Sequence, residues 1–170
     1  VNTDNTDGEG REDDYQAVRF GLTTTLLGDG YFSYDESTYN HAVIWTYDEF
    51  DAYLGEPKSD LQNVFNPQQT SIDQGVWLRE FEEGRVIVNA TETTQTIELD
   101  GDYEKLHGTQ DVSVNDGSIV YEVTIAPKDG IILLRPIEDI LDGTFLNGAF
   151  ARVFDIDGET TRTGFFAYES

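Results

Sequence analysis

The sequence predicts a mainly β protein, a C-terminal antiparallel β-sandwich preceded by an incomplete α/β segment. Three observations predict it. From Gly75 onward the runs GVWLREF, RVIVNA, TIEL, YEKL, IVYEVTI and IILLR are alternating or continuously apolar, and EEG, DGD, NDG and PKDG separate them. Strands this short and closely spaced argue for a compact sandwich. Before Gly75 one helical pattern and one short aromatic run supply at most one or two strand–helix units. The 170 residues, 38% hydrophobic and 12% aromatic, allow one or two small domains with a core.

Residues 1–11 read as a flexible acidic lead, rich in Asn, Asp, Thr and Gly. The next part, 12–74, begins with Tyr15, Val18, Leu22 and Leu26 at helical spacing, with Glu12, Asp13 and Asp14 at the start and Gly28 past the end. After an Asp29-Gly30 turn, YFSY reads as a strand that delivers Asp35 into a loop. A loop from Glu36 to Asn40 leads to HAVIWTY and to Asp48, Glu49 and Asp51, interleaved with Tyr47, Phe50 and Tyr53. This part closes with the polar stretch NPQQTSIDQ.

The sandwich, 75–136, takes Val76, Leu78, Val86, Val88, Ile97, Leu99, Val123, Ile125, Ile132 and Leu134 as its core. The same spacing sets Arg79, Glu80 and Arg85 on edges or rims. In the last part, 137–170, FARVF and GFFAY flank Asp157-Gly158 and read as a hairpin. A lone hairpin must pack on something, because it cannot bury both faces.

Charge narrows the function classes. Against 34 acidic residues stand 10 basic ones, a net charge of -24, and the lysines are Lys58, Lys105 and Lys128 alone. Such a surface repels itself, and salt relieves that repulsion because the screening length shrinks to roughly 3 Å at 1 M. The composition therefore points to a high-salt environment, with an acidic patch for calcium or a basic partner as the alternative. No basic stripe exists to neutralise phosphates, which excludes nucleic acid. Cysteine is absent, so thiolate chemistry and zinc–thiolate sites are excluded. No apolar run approaches the roughly 20 residues of a membrane span. An acidic start without Met leaves open a mature, processed or excised piece.

The chemistry-bearing residues concentrate in one place. Carboxylates beside exposed rings suit a carbohydrate cleft, since acids bond sugar hydroxyls while rings cover the apolar pyranose faces. The candidate substrate-binding residues are Asp35, Trp45, Tyr47, Asp48, Glu49 and Asp51, and Glu49 is the candidate catalytic residue. In an extended segment Glu49 and Asp51 would share a face about 6.5 to 7 Å apart, near the lower end of the inverting-glycosidase range. Neighbours on one strand flank a bond from opposite sides poorly, so a solvated acidic loop is the competing explanation. His41 and His107 lack a second ligand at metal spacing, and Ser33, Ser37 and Ser59 lack a nucleophile elbow. Asp155, Asp157 and Glu159 fit a hairpin turn better than a calcium loop. No metal or cofactor is expected. Asn89-Ala90-Thr91 is a glycosylation sequon that also fits a strand end. Trp77 reads as core or interface packing, Trp45 as a sugar platform or a packing residue.

RFGLTTTLLGDGYFSYD, YDEFDAYLGEP, GVWLREFEEGRVIVNAT, YEKLHGTQD and APKDGIILLRP together resemble the C-terminal end of a glycoside hydrolase family with a (β/α) barrel and a following small β-sandwich. The resemblance spans roughly residues 17 to 136. It implies that 12–74 is a barrel end. A barrel needs eight strand–helix units in about 250 residues, so most catalytic positions would lie upstream of Val1. The tail ARVFDIDGETTRTGFFAY is similar to one strand pair of an FG-GAP-like repeat.

Two functions follow as expectations. One is the C-terminal portion of a carbohydrate-active hydrolase, contacting an upstream barrel portion and not catalytic alone. The other is a non-catalytic β-rich surface or adhesion module for glycans or proteins. Either fits an extracellular or cell-surface location, with a halophilic cytoplasm as the alternative.

Overall fold

A computed structural model describes residues 13–34, 45–66, 75–136, 149–152 and 165–168. Helix α1 (Tyr15–Leu26) begins where expected, with Asp14 as N-cap, its side chain accepting from Ala17 N at 3.1 Å. Gly28 does not supply a left-handed cap; Leu27 closes the helix in right-handed geometry. The expected strand YFSY is not realised as a ladder, and Ser33 alone forms a β-bridge there. Strands exist through pairing, and no described ladder runs beside these residues.

The mainly β class holds. Strands β1 (Gln62–Asn63), β2 (Val76–Glu80), β3 (Gly84–Asn89), β4 (Gln95–Lys105), β5 (Ile119–Ile125) and β6 (Asp129–Leu134) form one antiparallel sheet in the order β1-β2-β3-β6-β4-β5. The expected TIEL and YEKL strands are one strand, β4. Asp100, Gly101 and Asp102 form no turn; they fall in a register shift between Glu98 and Tyr103 that bends β4. Only Glu104 and Lys105 of β4 pair with β6, at Leu134 and Leu133. The β4–β5 arm is thereby free to curl over the β2–β3–β6 face, and one sheet encloses a sandwich-like core.

That core gathers Val76, Ile87, Ile97, Tyr103, Val123, Ile125, Ile131 and Leu133. The opposite face packs Val86, Val88, Ile132 and Leu134 with Leu54, Phe81 and Leu106 beneath α1. Every residue of β3 and β6 is buried in consequence. Alternation had assigned one face of these strands to the core, and Ile87, Ile131 and Leu133 complete the other. Helix and strand approach closely because β6 carries Gly130, where a Cβ would collide with the Thr23 side chain.

The expected rim positions are corrected. Arg79 and Arg85 are buried, at 8% and 5% exposure. Arg79 donates to Leu26 O at the C-terminus of α1 (3.2 Å), to Ser59 O (3.1 Å) and to Asp29 (3.0 Å), filling the role of a helix-end cation. Arg85 lies over the Tyr103 ring at 4.1 Å and bridges Glu80 and Asp100. Strands β7 (Ala149–Arg152) and β8 (Phe165–Tyr168) pair antiparallel as the hairpin reading expects; its turn and Asp155, Asp157 and Glu159 lie outside the described residues.

Candidate functional site

The acidic–aromatic segment is a 3-10 turn, Asp48–Asp51, and not an extended strand. Glu49 and Asp51 therefore do not share a face: Glu49 is buried at 6% exposure and Asp51 is exposed. Tyr47 precedes the turn as the hub of a ring cluster, meeting Tyr15, Tyr34 and Phe50 edge-to-face at centroid distances of 6.4, 5.9 and 5.5 Å. Trp45 is half-buried. Asp35 and His41 lie outside the described residues.

Asp48 is occupied within the chain. Its Oδ2 accepts from the backbone N–H groups of Thr109 (2.7 Å) and Gln110 (2.8 Å). Gln110 reciprocates, accepting from Asp48 N (2.9 Å) and donating to Thr46 O (2.9 Å). One residue on, Glu49 Oε1 accepts from Asn115 Nδ2 at 2.8 Å. Both acids thus fasten the 107–116 loop between β4 and β5.

A third tie comes from the helix. Buried Arg19 grips Asp129 side-on, Nε to Oδ1 at 3.0 Å and Nη2 to Oδ2 at 2.9 Å, and gives Nη1 to Asp111 at 2.6 Å. Burial alone disfavours the guanidinium charge, but the two carboxylates outweigh it and raise the Arg19 pKa. Asp111 sits low: burial pushes it up, and hydrogen bonds from Ser113 and Arg19 pull it below the usual carboxylate range. Sequence reasoning missed Arg19, Asp111, Asn115 and Asp129. The available signal was Arg19 itself, a scarce cation set among the apolar residues of α1.

Glu49 differs from its neighbours. Burial raises its pKa and the charge of Asp48 adds to this, against the opposing pull of Asn115, its own backbone N–H and the Arg19 charge. It stands in the wall of an open pocket of about 710 Å³. Leu22 and Leu26 of α1, Phe32, Phe50, the 52–56 segment, Phe81, Glu82 and Ile132 complete the wall. Phe50 and Tyr53 expose 45% and 51% of their surface there. An acid biased toward its protonated form beside half-exposed rings is chemically able to donate a proton to a leaving-group oxygen.

The model of the hypothetical glycosyl hydrolase family 15 matches residues 1–85, half of the chain, including α1, Glu49 and the turn that carries it. The chain belongs to this family. No curated protein and no solved structure matches it.

Other residues of this glycosyl hydrolase-like chain are accounted for structurally. Asn89 of the sequon is fully buried, its Nδ2 donating to Thr93 O, Ile125 O and Ala126 O at 2.8, 3.1 and 2.9 Å. Trp77 is buried in β2, and His107 forms a β-bridge with Asp116. Among the described residues no group of three His, Cys, Asp or Glu is placed to hold a metal ion, and no helix is long and apolar enough to cross a membrane.

Proposed function

We propose that the chain supplies one wall of a carbohydrate cleft in a glycosyl hydrolase-like protein, with the curled sheet as its support, and does not complete catalysis alone. The observation that carries this reading is the open pocket, in which Phe32, Phe50, Tyr53 and Phe81 stand beside buried Glu49. Rings cover the apolar faces of a pyranose, and burial favours the protonated form of Glu49, the form from which a departing oxygen would take a proton. Asp48 belongs to the support, since it fixes the loop against which Glu49 is held. A barrel end over 12–74, meeting an upstream barrel portion, remains part of the same proposal.

Two measurements test it. A heteronuclear NMR titration with neutral oligosaccharides should shift the Glu49, Phe50 and Tyr53 amides; no perturbation by any sugar overturns the carbohydrate reading. The purified chain should turn over no chromogenic glycoside, and turnover that vanishes in Glu49→Gln would overturn its non-catalytic part. The pairing of β7 with β8 favours a second reading, a non-catalytic surface module with an FG-GAP-like hairpin. We place the protein at the cell surface or outside it, in high salt. A melting temperature flat between 0.1 and 2 M NaCl, about a fourfold change in screening length, would remove that inference.

A further inference from the structure

The pocket is unusual in its charge as well as its rings. Among the described lining residues three are acidic, Glu49, Glu56 and Glu82, and none is basic. Glu82 is already neutralised: Oε1 binds Lys58 Nζ at 2.7 Å and Oε2 accepts from Glu56 N at 3.2 Å. Glu56 spends only its backbone N–H in that contact, and its exposed carboxylate carries no ion pair among the described residues. Glu49 is more than nine-tenths buried and bonds Asn115 through one oxygen, leaving the other without a partner on another described residue. The cation behind Glu49, Arg19, is committed to Asp129 and Asp111. Among the described residues the hollow therefore offers the uncompensated charge of Glu56 next to ring faces.

We propose that the pocket selects a sugar that carries a free, protonated amino group. This rests on the carbohydrate reading above and deepens it. An ammonium brings three donors and a charge that Glu56 complements, Glu49 offers a carboxyl oxygen that can accept one of those donors, and ring faces attract the same cation. Uronic and sulfated sugars meet like charge there and are repelled. Neutral sugars gain the ring contacts alone.

The test titrates the full chain by heteronuclear NMR with glucosamine oligomers, their N-acetylated counterparts, unsubstituted glucose oligomers and galacturonate oligomers, at 0.15 M NaCl. Acetylation removes the charge and keeps the rings, so that pair decides. Free-amine oligomers should bind about fivefold tighter than acetylated ones, the scale of one partly exposed ion pair, with shifts centred on Glu49, Phe50, Tyr53 and Glu56. Glu56→Gln, an exposed change that leaves the core intact, should erase most of that preference. Equal affinity for free and acetylated oligomers overturns the inference while leaving the carbohydrate reading standing. A preference spread over surface acids and unmoved by Glu56→Gln overturns it as non-specific attraction to an acidic chain. Failure of every sugar to bind sinks the carbohydrate reading itself.

Discussion

Replacing Arg19 by Met keeps most of the aliphatic stem and removes three charge-assisted hydrogen bonds. Among the described residues Asp129 then retains only its bond from Gly130 N (2.8 Å), at 5% exposure. Leaving one partner of a buried pair uncompensated costs about 3–5 kcal/mol. Asp111 adds little, because its side chain is 21% exposed and water can take the place of the guanidinium. The expected loss is about 4 kcal/mol, a large share of the roughly 5–15 kcal/mol that holds a domain together. In urea the midpoint should fall by about 2 M at fixed salt, followed by the fluorescence of buried Trp77. Adding Asp129→Asn should recover part of the loss, since a neutral amide no longer needs the cation. A loss under about 1 kcal/mol, or a double variant no better than the single, would refute the claim that this network bolts α1 to β6.

Four further outcomes are expected. Gly130→Ala should destabilise by about 1–3 kcal/mol by pushing α1 off β6, and an equally stable variant would show that Thr23 yields freely. Glu49 holds its proton more tightly folded than unfolded, so its contribution to stability falls as pH rises from the ordinary carboxylate value through the raised one. Glu49→Gln, which can still accept from Asn115, should flatten that decline in urea midpoints between pH 4 and 8, and an unchanged slope would refute it. Asn89→Ala should cost about 2–3 kcal/mol by stranding buried carbonyls. Mass spectrometry after expression in a glycosylating host should find no glycan on Asn89, and a glycan there would contradict its burial.

Local pattern made much of the fold legible. The start of α1 was readable because capping and helical period are written within a dozen residues, and β2, β3, β5 and β6 because their apolar runs end in turn residues. What escaped notice was decided at long range. Asp100-Gly101-Asp102 has turn composition, yet the arm it would have ended continues because β5 and β6 both offer partners to β4 beyond it. The sandwich pattern could not say that both faces of β3 and β6 are covered, since a continuous apolar run looks the same whichever layer lies over it. The site divides in the same way. Glu49 stood out by its company of aromatic rings; that Asp48 is tied to Thr109 and Gln110 depends on a loop some 60 residues away. Glu56, Glu82 and Phe81 join the pocket through folding alone.

The central place of β6 has a consequence for how the chain is made. It is the last strand of the six-stranded sheet in the sequence, yet it sits between β3 and β4 and is gripped by Arg19 from 110 residues upstream. A ribosome delivers α1 first, and the helix must wait, with its apolar flank uncovered, until Asp129 emerges. The β2–β3 and β4–β5 pairs can each close locally, and neither can become a sheet with the other until β6 slots between them. A chain halted before Asp129 would carry an unpaired β3 edge and an undocked helix. Such a nascent chain would depend on chaperones or on its own charge to stay apart from its neighbours.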